Sequence, residues 1–291
     1  QPVKVKEAVQ NPSVPYRYHF DSANFASIPG SPIAYWASEK IQQVFQQGTS
    51  LGELAKTRVG LQTGDNNRFL RLWHEVDLNR IGFRMEDSEE AQMSRNKWFP
   101  YNKGGSYRKW YGNQDYLLNW ENNGAEIRAF SRSVIRNPNY YFREGITWTD
   151  ISSSRFGVRY TPLGFIFDVT GPSLFPENGL KPYVLGFMCS KLAFEFLNYL
   201  NPTLHFLVGN IASLPIIIDK NQFATINAIV QQCIEISKHD WDSFETSWDF
   251  QRHPLLVHKD DSLIEQAFNN WSDFADEQFR QLKADEEELN R

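Results

Sequence analysis

The sequence predicts an α+β fold in which a mixed sheet packs with helices and a helical region follows at the C-terminus. Apolar residues recur at helical spacing in 33–47 and 181–200, whereas 156–160 alternates as a strand does and 164–169 is a short apolar run. The chain has 291 residues, 41% of them hydrophobic, which is enough for a core of ordinary size. We expect one domain of about 150–200 residues with appendages.

The N-terminal part is expected to hold a connector and one helix. Residues 1–32 contain five prolines, and each proline fixes its own backbone and disfavours helix in the residue before it. These residues therefore predict an extended connector. Apolar side chains fall on one face of a helix over 33–47, and Gly48 supplies a stop.

The stretch 58–70 is the most informative part of the chain, because a short apolar segment runs into two glycines and a polar cluster. Gly60 and Gly64 allow backbone conformations that residues with a side chain disfavour. The polar side chains can hydrogen-bond neighbouring main chain or an outside ligand; they are Thr63, Asp65, Asn66 and Asn67. The pattern predicts a strand that enters a polar turn, and the plainer alternative is a tight turn between two core segments.

The charge of the chain is unevenly distributed. The net charge is -5, yet residues 95–160 carry 11 basic and 5 acidic side chains, whereas 219–291 carry 7 and 16. Coulomb attraction acts over roughly 10 Å at ordinary ionic strength, so a local basic region can bind phosphates on an acidic protein. The alternative is a chance grouping of solvated arginines.

Between residues 86 and 160, tryptophan, tyrosine, asparagine, glycine and arginine replace the aliphatic residues that build a core. Lysine and arginine neutralise phosphates, and asparagine, glutamine and arginine can make paired hydrogen bonds to base edges. The composition therefore favours a binding surface. We expect phosphate or base contacts from Lys103, Arg108, Lys109 and Arg155. Thr63 and Asn66 are further candidates for direct contact with DNA. Asn66, Asn113 and Gln114 are candidates for contacting base edges or for ordering the loop. Trp110 and Tyr111 are candidates for shaping the binding face. Any single ring could equally belong to the core.

The C-terminal third is predicted to be mainly helical. A helix over 181–200 is ended by Asn201-Pro202, and 216–219 is a short strand or apolar exit segment. An amphipathic helix starts near Phe223, and a long acidic helix with an apolar stripe over 263–282 closes the chain. That stripe must pack on the domain, on a sister copy or on another part of the protein.

No catalytic or metal-binding residues are predicted. The six histidines include no HExxH pair, and the chain has no Walker A loop, GxGxxG fingerprint or GxSxG elbow. The string Asn137-Pro138-Asn139-Tyr140 resembles the Asn-Pro-Pro-Tyr motif with which adenine methyltransferases hold a flipped base. Asn139 replaces the second proline, and no glycine-rich cofactor-binding half precedes it, so a loop with exposed aromatic residues is favoured.

The chain is expected to work in the cytoplasm and to need no membrane. It has no run of about 18 apolar residues and no apolar core of a signal peptide at its start. Cys189 and Cys233 each fall within an apolar helical pattern, which predicts buried thiols in a reducing compartment.

Several strings resemble, in the same order, the C-terminal half of BREX-type PglX adenine-specific DNA methyltransferases. They are FASIPGSPIAYW at 25–36, GLQTGDNNRFLR at 60–71, WFPYNKGG at 98–105, RKWYGN at 108–113, FGVRY at 156–160 and DWDSFETSWD at 240–249. The chain is also similar to TaqI-like and type I specificity-subunit recognition domains, in which a TG-x-N-x-F string and an Asn-Ile-x-x-Leu-Pro string, here at 210–215, bracket the DNA-reading domain. Several motifs in one order are more specific than any one alone.

The resemblance implies a target-recognition domain of an N6-adenine methyltransferase in phage defence. It divides the chain into a connector and helix at 1–50, the recognition domain at 51–218 and a helical region at 219–291. The cofactor S-adenosylmethionine is expected in an N-terminal catalytic domain outside this chain, so neither a cofactor nor catalysis is expected here. The implied partners are double-stranded DNA, that methyltransferase domain and other BREX proteins.

Two other classes of function are open at this level. In the first, the acidic helix and the aromatic face form a protein-interaction module that docks other defence proteins. In the second, the tryptophans and tyrosines belong to a carbohydrate-binding or hydrolytic domain. If DNA binding is correct, replacing Arg108 and Lys109 by alanine should flatten the salt dependence of duplex binding.

Overall fold

A computed structural model describes residues 2–17, 26–32, 34, 36–152, 155–177, 179–260 and 263–291. It confirms the predicted α+β class. The helices within this part are α1 (Pro2–Gln10), α2 (Glu39–Gln47), α3 (Leu51–Leu54), α4 (Asn66–Phe69), α5 (Ser88–Met93), α6 (Glu121–Ala129), α7 (Lys181–Cys189), α8 (Lys191–Leu200), α9 (Val208–Ala212), α10 (Phe223–Asp242), α11 (Pro254–Val257) and α12 (Ile264–Leu289). The strands are β1 (Thr49–Ser50), β2 (Ala55–Arg58), β3 (Leu70–Leu72), β4 (Trp98–Asn102), β5 (Tyr116–Asn119), β6 (Gly145–Trp148), β7 (Val158–Thr161), β8 (Ile166–Phe167), β9 (Ser173–Pro176) and β10 (Pro215–Ile216).

The strands form two four-stranded sheets and one small pair. One sheet has the order β2-β9-β6-β7 and is antiparallel throughout. The other has the order β3-β5-β4-β8 and is mixed, because β4 and β8 run parallel. The small pair joins β1 to β10, which brings residues 49–50 against 215–216. The two ends of the predicted recognition domain therefore meet, while its boundaries stay a prediction.

Each larger sheet has its own hydrophobic core. The antiparallel sheet packs with α7, α8 and α10 around buried residues that include Trp148, Leu185, Phe196 and Val230. The mixed sheet has a second core that includes Phe99 and Trp120 and is rich in aromatic residues. Many of the aromatic residues that gave the middle of the chain its unusual composition are therefore core residues.

The N-terminal prediction was wrong in two respects. Part of the expected extended connector is a helix, α1, whose residues are not buried. The next helix, α2, begins at Glu39, because Ser38 caps it by accepting a hydrogen bond from the backbone of Ile41. Ile33, where this helix was expected to start, lies outside the described residues.

The predicted helix over 181–200 is two helices. Its break falls at Ser190, whose extended backbone ends α7, while its hydroxyl accepts a hydrogen bond from Ala193 N and starts α8. Periodicity alone did not reveal this break, because the apolar spacing continues across it. Cys189, at the end of α7, and Cys233, in α10, are free and buried, as predicted.

The acidic helix α12 packs on the same chain. It contacts α10, and its Leu282 and Leu289 pack against the core of the antiparallel sheet. Of the three surfaces expected to cover the apolar stripe, the same chain therefore covers part of it. Within the described residues, no helix combines the length and apolar character needed to cross a lipid bilayer.

Candidate nucleic-acid interface

Two segments that are distant in sequence lie side by side in opposite directions. Gln62 and Val134 exchange two backbone hydrogen bonds, each 2.9 Å long. Further along, the side-chain amide of Asn137 donates to the carbonyl of Val59 at 2.8 Å. We call this paired element the arginine ribbon, defined as residues 58–68 and 132–143.

The polar turn of the ribbon is held together by its own side chains. Asp65 caps α4 by accepting a hydrogen bond of 3.1 Å from the backbone N of Arg68. The hydroxyl of Thr63 donates to the side-chain oxygen of Asn66 at 2.5 Å, and Thr63 is only 3% exposed. Thr63 therefore orders the turn from inside, whereas Asn66 is exposed at its surface.

Gly64 is required by a close approach between the two halves of the ribbon. Its φ is +70°, and a Cβ atom built on it would lie 2.5 Å from the backbone carbonyl carbon and oxygen of Arg132. Both the left-handed backbone and the lack of space favour glycine. The turn predicted from sequence therefore has a fixed shape that depends on Arg132, a residue far away in the chain.

The outer surface of the ribbon offers side chains that can contact base edges. The exposed amides are Gln62, Asn66, Asn67 and Asn139. Val134, which pairs with Gln62 across the ribbon, is 41% exposed. Amide side chains can make two hydrogen bonds to one base edge, and apolar side chains can contact thymine methyl groups.

Arginines at one end of the ribbon are paired with carboxylates. Arg68 forms an ion pair of 2.7 Å with Glu126, and this hydrogen-bonded guanidinium lowers the pKa of Glu126 below its ordinary value. Arg132 forms an ion pair of 3.4 Å with Asp65. Both guanidinium groups lie against the ring of Phe130, at 5.2 and 5.0 Å from its centroid. These exposed pairs hold the two arginines in place without removing them from solvent.

The other end of the ribbon has a different arrangement. Arg58 Nη2 donates to the hydroxyl of Tyr140 at 2.9 Å, and its guanidinium lies 4.6 Å from the centroid of that ring. The guanidinium of Arg143 lies 5.3 Å from the same centroid. Neither arginine forms an ion pair with any residue of the described part.

The structure brings Lys103 close to Asn66. Both line a polar groove of about 440 Å³ next to the ribbon, together with Asn67, Arg71 and Tyr116. The ammonium of Lys103 lies 3.4 Å from the carboxylate of Asp168, which also accepts a 2.6 Å hydrogen bond from Tyr101. Burial and the neighbouring carboxylate raise the pKa of Tyr101 well above its ordinary value, so its hydroxyl remains a donor.

Arg108, Lys109 and Trp110 face the C-terminal helices. Arg108 lies 3.2 Å from the carboxylate of Asp240, at the end of α10, and Lys109 lies 2.6 Å from Glu286 in α12. The indole N–H of Trp110 donates to Glu286 at 2.7 Å, and Trp110 is only 1% exposed. The predicted contact residues of this segment therefore bind carboxylates of the same chain.

Tyr111, Asn113 and Gln114 are also used internally. Tyr111 is 3% exposed, and burial raises the pKa of its phenol. Its hydroxyl donates to the side-chain oxygen of Gln114 at 3.3 Å, and Gln114 is likewise buried. Asn113 has a left-handed backbone with φ +59°, and its amide donates to the carbonyl of Ser106 at 2.7 Å. The role of loop order, one of the two roles expected for Asn113 and Gln114, fits these contacts.

Arg155 is exposed, and its guanidinium lies 5.9 Å from the ring of Tyr107, which is itself exposed. The nearby Arg159 differs, because it is buried beneath the loop that carries Gly104. It donates to the carbonyl of Gly104 and to the hydroxyl of Thr149, each at 3.4 Å. Burial lowers the pKa of Arg159 to about 10. Arg155 therefore remains available to a ligand and Arg159 does not.

Sequence reasoning singled out Asn66 but missed most of the ribbon. The arginines at 132, 136 and 143 were counted in the basic middle of the chain, and Arg58 opens the most informative stretch. Nothing in local periodicity indicated that these residues meet, because the two halves are about 70 residues apart.

Comparisons with known proteins connect the chain to one class, the adenine-specific methyltransferases. No protein-family model matches it. It is 43% identical over 298 residues to the adenine-specific methyltransferase PglX of Lacticaseibacillus casei (strain Zhang), an alignment that covers 98% of this chain and 24% of the relative. It is 38% identical over 271 residues to the adenine-specific methyltransferase BrxX of Escherichia coli O9:H4 (strain HS), covering 92% and 21%.

The chain thus spans about a quarter or less of the length of these relatives. It matches a part of the PglX and BrxX adenine-specific methyltransferases, and the resemblance expected from the sequence motifs is confirmed to that extent. The role of this part within such an enzyme is a separate question.

Proposed function

We propose that this chain is the part of an adenine-specific DNA methyltransferase that recognises the DNA target. In this proposal the chain positions a duplex so that another part of the longer protein binds S-adenosylmethionine and methylates an adenine at N6 in phage defence. The chain itself contributes no catalytic residue and holds no cofactor. Such a role belongs in the cytoplasm, where the DNA is.

The observation that carries the proposal is the outer surface of the arginine ribbon. It combines exposed amides with guanidinium groups on a backbone that is fixed by Gly64 and by the pairing of Gln62 with Val134. Arginine, asparagine and glutamine are the side chains that read base edges through paired hydrogen bonds. A rigid element that presents them favours sequence recognition over simple attraction to phosphates.

Two further observations support the proposal. The relatives are named adenine-specific methyltransferases, which implies that DNA is the substrate of the whole enzyme. The groove beside the ribbon contains Lys103 and Asn66, two residues selected from sequence alone. We retain Asn66, Lys103 and Arg155 as contact residues. The proposal assigns the buried Thr63, Trp110, Tyr111 and Gln114 to the framework that supports them.

The proposed division of the chain keeps 51–218 as the recognition domain, with 1–50 before it and the helical region 219–291 after it. The pairing of β1, which directly precedes the proposed domain, with β10 near its end places the two ends of the domain side by side. In this division the helical region packs on the proposed domain through Leu282 and Leu289 and through the ion pair of Glu286 with Lys109.

The proposal is tested by selecting duplexes from a random pool with the intact chain. We expect enrichment of a consensus, and we expect the Asn66→Ala, Asn139→Ala double variant to lose preference at one or two positions. One good pair of hydrogen bonds discriminates against a wrong base by about 1–3 kcal/mol. Gln266→Ala with Asn269→Ala, two exposed positions on α12, is the matched control. No enrichment with the unchanged chain would contradict the proposal.

A second candidate function is a protein-interaction module. A cleft of about 600 Å³ lies between α10, α12 and the segment that carries Tyr107, and its lining includes Phe279 and Phe244, which are 66% and 46% exposed. Large exposed aromatic residues beside a cleft are typical of docking surfaces. Absence of a gel shift at low salt would favour this function, whereas a selected consensus would favour DNA recognition.

A further inference from the structure

The unpaired end of the arginine ribbon is built around Tyr140. Its ring packs against Phe175 of β9, with the two centroids 5.0 Å apart. The guanidinium groups of Arg58 and Arg143 lie 4.6 and 5.3 Å from its centroid, and Arg58 also holds its hydroxyl. A tyrosine packed against the sheet therefore holds two positive charges within about 10 Å of each other, since both distances are measured to the same centroid.

No carboxylate of the described residues neutralises these charges. Glu144 follows Arg143 directly in the chain, but its carboxylate forms an ion pair with Lys181 and accepts a hydrogen bond from Tyr160. Two like charges held together without a counter-charge repel each other. An anion at this position would relieve that repulsion.

Arg136 directly precedes the turn at 137–140 and is a third cation of this part of the sequence. Its Nη1 is buried and has no hydrogen-bond partner among the described residues. Its carbonyl accepts a hydrogen bond of 2.7 Å from Tyr141, which fixes the backbone four residues before Tyr140. This cation likewise forms no ion pair within the described part, so the turn carries an excess of positive charge that the fold itself leaves unbalanced.

The two guanidinium groups also have donors to spare. Arg58 uses Nη1 for the carbonyl of Thr57 and Nη2 for Tyr140, and each of these nitrogens carries a second N–H. Arg143 makes no hydrogen bond to any residue that the structure describes. Planar guanidinium groups with free N–H donors match the oxygen atoms of a phosphate.

We propose that Arg58 and Arg143 bind one phosphate group, with Tyr140 as the residue that positions them and Arg136 as an additional positive charge. The inference rests on the proposed function in that the phosphate is taken to be a phosphodiester of the DNA backbone. The same chemistry would accept free phosphate, and the experiment separates the two sources. A contact at this end would set the register in which the amides of the ribbon meet the bases.

The experiment compares two charge-matched double variants of the intact chain. Arg58→Gln with Arg143→Gln removes the proposed site, and Arg280→Gln with Arg291→Gln removes two exposed arginines of the C-terminal helical region, whose side chains are 79% and 76% exposed. Binding of a labelled duplex is measured over a series of salt concentrations. Binding of inorganic phosphate is measured by the shifts of arginine Nε–H resonances. Circular dichroism establishes that each variant is folded.

We expect the site variant to bind the duplex about tenfold more weakly, with the slope of log K against log salt reduced by about one. The control variant should match the unchanged chain. Arg58→Lys with Arg143→Lys should retain the slope but lose affinity, because lysine keeps the charge and lacks the planar fork. This conservative variant also serves if the glutamine variant does not fold. Tyr140→Phe should weaken binding less than the loss of both arginines.

The outcomes separate the two proposals. If the duplex binds and the site variant behaves like the control, the phosphate site is wrong and DNA recognition stands. If the chain binds inorganic phosphate through these arginines but binds no duplex, the site is upheld and DNA recognition is wrong. If it binds neither, both proposals are overturned.

Discussion

The arginine ribbon and the aromatic segment, defined as residues 103–114, are both rich in cations, but they differ in where the counter-charges lie. In the aromatic segment Arg108 and Lys109 each face a carboxylate of the C-terminal helices. Lys103 also faces a carboxylate, that of Asp168, but it still lines the open groove beside Asn66. At one end of the ribbon, Arg58 and Arg143 surround a tyrosine and form no ion pair with the described residues.

A positive stretch of sequence is therefore not the same as positive charge that is available to a ligand. Residues 95–160 carry an excess of basic side chains and 219–291 an excess of acidic ones. Folding brings part of each excess together, because Arg108 meets Asp240 and Lys109 meets Glu286. The positive charge that no carboxylate of the described residues neutralises lies at Arg58 and Arg143, outside the segment that the strongest sequence pattern indicated.

The largest expected effect is on the free energy of unfolding and concerns Trp110, the buried tryptophan of the aromatic segment. Trp110→Ala should lower the free energy of unfolding by about 3–5 kcal/mol, because it removes a fully buried ring. Urea unfolding followed by circular dichroism measures this change. Tyr107→Ala is the control, since Tyr107 is 44% exposed and should cost less than about 1 kcal/mol. Equal costs at the two positions would show that Trp110 is not a core residue.

The next effect tests the shape of the ribbon. Gly64→Ala should cost about 2–3 kcal/mol, because alanine is strained at φ +70° and its Cβ would overlap the backbone of Arg132. Gly179→Ala is the matched control. Its φ is +83°, and no described atom lies within 4 Å of the added Cβ, so only the backbone strain of about 1–2 kcal/mol should remain. Thermal unfolding measures the stability lost in each variant. Equal losses at Gly64 and Gly179 would show that the close approach to Arg132 does not require glycine.

A smaller effect separates stability from DNA binding in the aromatic segment. Arg108→Ala with Lys109→Ala should lower the free energy of unfolding by about 1–2 kcal/mol, because Glu286 loses a partner at a partly buried site. The salt dependence of duplex binding should change less than in the ribbon variant Arg58→Gln, Arg143→Gln. The sequence-based prediction was a flattened slope. If the slope falls as much in this variant as in the ribbon variant, the two regions do not differ in the way described.

The smallest expected effect concerns the two buried cysteines, whose thiols should not react in the folded chain. Burial raises the pKa of Cys189 to about 12, and that of Cys233 is also raised by burial. Because thiolates are the reactive species, a chromogenic disulfide reagent at pH 8 should find no thiol in the native chain and two after denaturation. Rapid reaction of Cys189 in the native chain would show that the aromatic segment and α12 do not cover it.

Much of the fold was accessible from sequence, and the reason is local. The apolar stripes of α10 and α12 and the short apolar run at β8 follow from periodicity within a few turns or residues. The break at Ser190 was missed because the apolar spacing runs through it. The helix α1 was missed because the five prolines of residues 1–32 indicated an extended chain. Residues 3–11 contain no proline or glycine, however, and Pro2 occupies a position that helices tolerate.

The candidate site was only partly accessible, for a physical reason. Asn66 was found because an Asn-rich turn next to glycines is a local signal. The partners of that turn, Arg132 and Asn137, depend on pairing between distant segments, which no local pattern specifies. Lys109 was predicted to contact DNA because its sequence neighbours include no partner for its charge. Its carboxylate partner, Glu286, lies near the other end of the chain, and only folding brings the two together.

The central claim is that this part of the protein determines which DNA sequence is methylated. The most direct measurement exchanges the segment that corresponds to residues 1–291 between the full-length relatives PglX of Lacticaseibacillus casei and BrxX of Escherichia coli, and maps the methylated adenines in the host genome. We expect the methylated motif to move with the exchanged segment. A motif that stays with the remainder of the protein, in an exchanged enzyme that still methylates DNA, would contradict it.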